Sequence, residues 1–255
     1  MNYEFVFWDL DGPIWDPDVQ GLPHEKSIKK LLYAQLYGDL PLPWEGRLFE
    51  EEASDARIKD FLALVERVNS GTEQVEAYKP YTGMRELLAE IPTKRQGIIT
   101  NGWPQVQPNK LKLFGIESLF NPDLILTAIG EAQRHLDAYP SDPQSLDAYR
   151  TAEDDIEPAA YHLATRKTGK HFIYLFERAL TLAGVDAGRC LMIGDDDDDI
   201  QSAQRVGMRT AYVRGIASSI KGREGMLNDG VPNYLKPDYV IDKGDIRRLR
   251  EIIFK

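Results

Sequence analysis

Residues 3–12 read YEFVFWDLDG, and this stretch decides the fold class. The run over residues 3–10 is rich in aromatic and β-branched side chains, which favour a buried strand. An Asp-Gly-Pro sequence follows directly, and these residues are typical of a turn. The stretch therefore predicts a first strand whose carboxyl end carries Asp9 and Asp11.

Further short apolar runs follow along the chain, and longer helical patterns separate most of them. The runs lie at residues 97–100, 124–127, 190–194, 210–213 and 239–241. The helical patterns lie at residues 25–37, 51–68, 84–91, 105–114, 172–183, 200–206 and 246–253. Because parallel strands need a long crossover between them, this alternation predicts an α/β fold with a Rossmann-like parallel sheet.

Two stretches depart from the alternation. Residues 16–81 hold two long helical patterns and no convincing strand run, so we predict an inserted α-helical cap there. Residues 130–169 are polar, with prolines and acidic residues, and are too long for an ordinary connection. We predict an irregular insertion at that point, with residues 1–15 and 82–255 forming the core domain.

The bulk composition limits the partners. The formal net charge of -10 and the sequence pI near 5.0 mean that the average surface repels nucleic-acid backbones and anionic membranes. No apolar stretch approaches the ~20 residues needed to span a bilayer. Cys190 is the single cysteine, which excludes an internal disulfide and fits a reducing compartment. We therefore expect neither a nucleic-acid nor a membrane partner, and we expect a cytoplasmic location.

Acidic side chains stand where two of the predicted strands end. Asp9 and Asp11 are one residue apart and can point toward a common space once the chain turns. Asp195 follows the strand predicted at residues 190–194 and opens a run of five aspartates that ends at Asp199. Carboxylates gathered at one sheet edge need a countercharge, and a hard divalent cation prefers oxygen ligands. The sequence predicts a Mg²⁺ site at this edge.

The spacing of the first two acids suggests a reaction at phosphorus. One carboxylate can attack the phosphorus atom while a second, two residues further on, protonates the leaving oxygen. Asp9 fits the role of the nucleophile, and Asp11 fits the role of the general acid and base.

A third strand end offers groups that bind phosphate. The hydroxyl of Thr100 and the main-chain N–H groups of Asn101 and Gly102 are suited to hold phosphoryl oxygens at a helix N-terminus. Lys170, near the start of the helix predicted at residues 172–183, would add a positive charge.

Three of these segments and the lysine resemble, in the same order, the four motifs of the haloacid dehalogenase superfamily. The segments are FWDLDG at residues 7–12, IITNG at residues 98–102 and MIGDDDDDI at residues 192–200. The resemblance covers residues 3–213, and residues 16–81 stand where many members insert a helical cap.

The resemblance implies a role for each matched residue. Asp9 would form an aspartyl-phosphate, and Asp11 would act as acid and base. Asp195 and Asp199 match the acidic motif near the magnesium ion, with Asp199 reaching it through water, and the main-chain carbonyl of Asp11 would be a further ligand. Thr100 and Lys170 match positions that hold phosphate, the lysine having a catalytic role as well.

Some features depart from the family pattern. Pro13 stands where members often have Thr or Val, and the lysine precedes His171, where members often have proline. Lys167 is therefore an alternative to Lys170. We assign no role to the tryptophans, because aromatic side chains most often pack in a core or a cap.

We expect a Mg²⁺-dependent phosphatase that hydrolyses a small phosphorylated metabolite. A phosphotransferase such as a sugar phosphomutase uses the same residues and is the alternative. A carbon–halogen dehalogenase needs neither a metal ion nor Asp11, so the presence of Asp11, Asp195 and Asp199 argues against it. A non-catalytic binding protein would be suggested by the loss of motif acids, and none is missing.

Overall fold

A computed structural model describes part of the chain. The described residues are 1–15, 63, 67, 70, 80–100, 107–128, 130, 131, 134, 173–215 and 236–255. The cap predicted at residues 16–81 and the insertion predicted at residues 130–169 lie almost wholly outside them. Both therefore stay predictions.

Strands and helices alternate along the described residues as far as the fifth strand. The strands are β1 (Phe5–Trp8), β2 (Gln96–Thr100), β3 (Ile125–Thr127), β4 (Cys190–Gly194), β5 (Arg209–Arg214) and β6 (Tyr239–Asp242). The helices are α1 (Met84–Glu90), α2 (Gln107–Leu113), α3 (Ile173–Ala183), α4 (Asp197–Arg205) and α5 (Ile246–Phe254). Each strand lies at a run predicted from the sequence. No helix among the described residues is long and apolar enough to span a membrane, α3 having 11 residues.

The strands form one parallel sheet in the order β3-β2-β1-β4-β5-β6. β1 lies inside the sheet, where Trp8 pairs with Ile98 of β2 on one side and with Ile193 of β4 on the other. The predicted α/β class with a Rossmann-like parallel core is confirmed. β1 is shorter than residues 3–10, since its ladder ends at Trp8 and leaves Asp9 and Asp11 beyond the strand.

The side chains of the sheet alternate between two apolar layers. In β1, Val6 and Trp8 pack in the layer that contains the buried residues of α1 and α5, while Phe5 and Phe7 pack in the layer that contains those of α3. Successive residues of a strand point to opposite faces, so a strand covered on both faces is apolar at every position. This double cover explains the uninterrupted apolar runs of the sequence.

Candidate active site

The strand order reverses between β1 and β4, which are neighbours in the sheet but far apart in the chain. In open α/β sheets such a reversal leaves a crevice at the carboxyl ends of the strands, and ligands bind there. Asp9 comes directly after β1, and its main-chain N–H donates to the carbonyl oxygen of Ile193 at 2.8 Å. Asp195 comes directly after β4. The reversal therefore brings two acidic residues from distant segments to one point.

Three carboxylates meet at this point. Asp9, Asp195 and Asp199 each offer a carboxylate oxygen, and these three atoms all lie within 4.8 Å of one another. The three residues are buried, with exposed fractions of 5%, 4% and 0%. We call them the carboxylate cluster. Buried like charges this close repel one another strongly, so the arrangement favours a bound cation.

The cluster fits a magnesium ion by the chemistry of its donors. Mg²⁺ is a hard cation that takes oxygen ligands at about 2.0–2.1 Å, so that ligands on opposite sides are about 4.2 Å apart. The spacing of at most 4.8 Å in the cluster is close to that span. Asp9, Asp195 and Asp199 are therefore the residues that would hold the ion.

Two glycines allow the carboxylates to approach the main chain. Gly12 has a φ of +112°, and a Cβ atom built on it would lie 2.5–2.7 Å from the carboxyl group of Asp195. A Cβ atom on Gly194 would lie 2.4 Å from the Cβ atom and from Oδ2 of Asp199. Carbon atoms do not approach other atoms this closely, so each position requires glycine. The glycines of the DxDG and GDDDDD segments thus have a structural reason that the sequence analysis had not assigned.

The aspartates at residues 195–199 have different roles, because α4 begins within this run. The Asp196 side chain accepts a hydrogen bond from the main-chain N–H of Asp198 at 3.2 Å and caps the helix. Such a cap satisfies an N–H group that has no partner within the helix, and acidic residues in the first turn interact favourably with the helix dipole. The helix therefore begins at Asp197, three residues before the predicted start. One turn of helix then brings Asp199 opposite Gly194, into the cluster.

Asp11 is not a member of the carboxylate cluster. Lys110 on α2 donates to both of its carboxylate oxygens, at 3.1 Å to Oδ1 and 3.0 Å to Oδ2. The indole Nε1 of Trp15 donates to Oδ1 at 2.9 Å. The Lys110 ammonium also lies 5.9 Å from the centre of the Trp15 ring, within the range of a cation–π interaction. The second acid of the DxDG segment thus has a countercharge of its own, supplied by the protein.

Neither partner of Asp11 was predicted from the sequence. A signal for Lys110 was present, because the helical pattern places it four residues after Val106 and four before Phe114, on an apolar stripe. A lysine on a buried stripe is rare unless it is paired. The carboxylate partner itself was not readable from the sequence. Trp15 is buried, as expected of a packing residue, but its indole N–H also has a polar partner.

Of the remaining predicted site residues, the structure describes only Thr100. Thr100 is the last residue of β2 and is buried at the same edge of the sheet as Asp9. It stands two residues beyond Ile98, the partner of Trp8 in the register. Asn101, Gly102, Lys170 and the alternative Lys167 lie outside the described residues, and their roles stay predictions.

A family model with the description HAD-hydrolase-like matches residues 167–243. This segment contains β4, the run of aspartates and β5. No sequence of a curated protein matches the chain at the threshold of the search.

Solved structures match over nearly the whole chain at low identity. A predicted phosphoglycolate phosphatase from Haemophilus somnus is 18% identical, with 98% of each chain covered and a TM-score of 0.53. A mutant of CbbY from Rhodobacter sphaeroides, in complex with xylulose-(1,5)bisphosphate, is 14% identical, with 95% of each chain covered and a TM-score of 0.51. A dehalogenase with an intermediate complex is 12% identical, covering 100% of this chain and 98% of its own, with a TM-score of 0.50. At these identities the likeness concerns the fold.

The resemblance read from the sequence is thus confirmed by the family model and by the fold. The sheet order and the acidic edge between β1 and β4 agree with this resemblance, and the family model supports it over residues 167–243.

Proposed function

We propose that this HAD-like hydrolase is a Mg²⁺-dependent phosphatase that hydrolyses a small phosphorylated metabolite through an aspartyl-phosphate on Asp9. The observation that carries the proposal is the cluster of three buried carboxylates within 4.8 Å, placed where the strand order reverses. Two structural neighbours support the substrate class, one described as a predicted phosphoglycolate phosphatase and one in complex with a sugar bisphosphate.

The first half of the reaction transfers the phosphoryl group to the protein. A carboxylate oxygen of Asp9 attacks phosphorus and forms an O–P bond as the bond from phosphorus to the leaving oxygen breaks. The electron pair of that bond stays on the leaving oxygen, which takes a proton from Asp11. A bound magnesium ion would offset the charge that brings a carboxylate and a phosphate together.

The second half returns the protein to its starting state. Asp11, now a carboxylate, accepts a proton from a water molecule as that water attacks phosphorus. The bond from phosphorus to Asp9 breaks, so inorganic phosphate leaves and the carboxylate is restored.

The groups that would hold the phosphate come from four predicted positions. The Thr100 hydroxyl, at the described end of β2, would donate to a phosphoryl oxygen, together with the N–H groups of Asn101 and Gly102. Lys170, or Lys167 as the alternative, would add positive charge. The cap proposed at residues 16–81 would close over this edge and exclude water. The cytoplasmic location expected from the sequence stays a prediction.

The alternative within the same chemistry is a phosphotransferase or phosphomutase, in which a substrate hydroxyl rather than water receives the phosphoryl group. A dehalogenase would also use a carboxylate nucleophile, and one dehalogenase is among the similar structures. Displacement of a halide calls for no divalent cation, whereas three buried carboxylates at this spacing favour one. A phosphate ester is therefore the better proposal.

The test is turnover of p-nitrophenyl phosphate in Mg²⁺ and in EDTA, followed by a panel of phosphorylated metabolites. We expect turnover that EDTA abolishes, and a loss of at least about 1,000-fold in Asp9→Asn. Asp198→Asn is the matched control, since Asp198 lies in the same run of aspartates but outside the cluster.

Three results would argue against the proposal. Equal activity in Asp9→Asn and the wild type would show that Asp9 is not the nucleophile. An inactive wild type that binds Mg²⁺ in calorimetry would favour the phosphotransferase or a non-catalytic binding protein. Turnover of a 2-haloacid without added metal would favour the dehalogenase.

A further inference from the structure

The carboxylate of Asp11 is held at both oxygens by two residues to which neither the sequence motifs nor the proposed reaction gives a role. Oδ1 accepts from the Trp15 indole and from Lys110, and Oδ2 accepts from Lys110. We propose that Lys110 and Trp15 are positioning residues that fix the Asp11 carboxyl group for proton transfer to the leaving oxygen. This inference rests on the proposed function and concerns how one step of it is organised.

Burial of Lys110 argues that it does more than stabilise the fold. Its exposed fraction is 4%, and it lies on a helix face between the buried residues Gln107 and Leu111. A buried ion pair contributes little net stability, because removing two charges from water costs about as much as their attraction returns. A methionine or leucine on this stripe would pack without that cost. A lysine at this position therefore points to a requirement at Asp11.

Trp15 completes a rigid frame around the carboxylate. Its ring packs against Phe114 of the segment that follows α2, with 4.9 Å between ring centres. Its carbonyl oxygen accepts from the N–H of Gly12 at 3.1 Å, which closes the turn after Asp11. The turn and the α2 region are thus joined through Trp15 on one side of the carboxylate and Lys110 on the other.

Such a frame matters because the rate of proton transfer depends on the distance between donor and acceptor. Proton transfer requires the acid to lie within hydrogen-bond reach of the leaving oxygen, and small displacements lower the rate steeply. Asp11 follows a strand end in a short turn, where its side chain could adopt several rotamers. The Trp15 indole on Oδ1 and the Lys110 ammonium across both oxygens select one of them. Because Lys110 is almost fully buried, it acts through Asp11 rather than by touching the substrate.

The test compares two esters that differ in their need for a proton. A p-nitrophenolate leaves readily without protonation, whereas an alkoxide does not, so we use p-nitrophenyl phosphate and the best alkyl phosphate of the panel. For Lys110→Met we expect kcat/KM on the alkyl ester to fall about 10- to 100-fold, because kcat/KM reports the steps up to departure of the leaving group and not the later hydrolysis on Asp9. The same variant should lose less than about 3-fold in kcat/KM on p-nitrophenyl phosphate. Lys110→Arg, which keeps a charged donor, should recover part of the loss.

Two further variants separate positioning from folding. Trp15→Phe keeps the ring and removes the indole N–H, so it should show the same selectivity for the alkyl ester with a loss of about 3- to 10-fold. It keeps the test decisive if Lys110→Met does not fold. Lys112→Met is the control on the same helix, because Lys112 is exposed and its ion pair with Glu117 is long, at 3.7 Å. We expect no change in either rate.

The outcomes distinguish this inference from the proposed function. Equal losses of kcat/KM on both esters in folded Lys110→Met and Trp15→Phe would overturn the positioning role while Asp9→Asn stays inactive. A wild type that turns over no ester would refute the proposed function, and this inference would be refuted with it. A selective loss on the alkyl ester, matched by Asp11→Asn, is the supporting result.

Discussion

Replacing Asp199 by asparagine should stabilise the metal-free protein and weaken its response to magnesium. Two unit charges 4.8 Å apart repel by about 3.5 kcal/mol at an effective dielectric constant of about 20. Asp199 has two such neighbours in the carboxylate cluster, and it is completely buried. Small side-chain movements relieve part of the repulsion in the wild type. We therefore expect the free energy of unfolding in EDTA to rise by about 1–3 kcal/mol.

Magnesium should stabilise the variant less than it stabilises the wild type. A ligand at 100 times its dissociation constant stabilises the folded state by about 2.7 kcal/mol. Loss of one carboxylate should weaken Mg²⁺ binding at least about tenfold, which removes at least about 1.4 kcal/mol of this stabilisation. Urea unfolding followed by circular dichroism, in EDTA and in excess Mg²⁺, measures both effects on one protein.

Asp198→Asn is the matched control for this experiment. Both residues lie in the first turn of α4, so both substitutions remove an interaction with the helix dipole of about 0.3–1 kcal/mol. Asp198 lies outside the cluster, and its substitution should leave the Mg²⁺ response unchanged. If Asp199→Asn were no more stable than Asp198→Asn in EDTA and kept the full stabilisation by Mg²⁺, the reasoning from charge repulsion would be refuted.

Other substitutions and measurements test the structure further. Gly194→Ala should reduce Mg²⁺-dependent activity at least about tenfold and destabilise the fold by about 1–3 kcal/mol, since its Cβ atom would lie 2.4 Å from Asp199. Gly188→Ala, whose Cβ atom would meet nothing within 4 Å, should be neutral in both assays, and equal effects would contradict the steric argument. Burial raises the pKa of the Cys190 thiol from 9.0 to about 12. The stability that this shift contributes is therefore fully present below pH 9.0 and is lost as pH rises toward about 12. Iodoacetamide should modify the thiol only in unfolded protein. Rapid labelling of the native protein would argue against burial of Cys190. Gln96→Met should lower the free energy of unfolding in urea by about 1–3 kcal/mol, because the buried amide donates to main-chain carbonyls at the end of α1. An unchanged urea midpoint would show that other groups satisfy these carbonyls.

Local sequence determined the elements and part of the site. Parallel strands covered on both faces are apolar at every position, so β1 and β4 were readable as short apolar runs with turn residues after them. The acids at the ends of those strands, Asp9 and Asp195, were readable for the same reason. The start of α4 was predicted three residues late, because an acidic run gives no hydrophobic periodicity and only the cap at Asp196 shows where the helix begins.

The tertiary structure decided which of these residues meet. The sequence predicted a parallel sheet but not that β1 would pair with β4, and that pairing is what brings Asp9 beside Asp195. The contact between Lys110 and Asp11 joins residues 99 positions apart in the chain. Local propensity and periodicity report only on neighbours within a few residues, whereas such a contact exists only after the sheet has formed and α2 has packed near the end of β1. The sequence thus determined which chemical groups stand at the strand ends, and the packing of distant segments determined their countercharges.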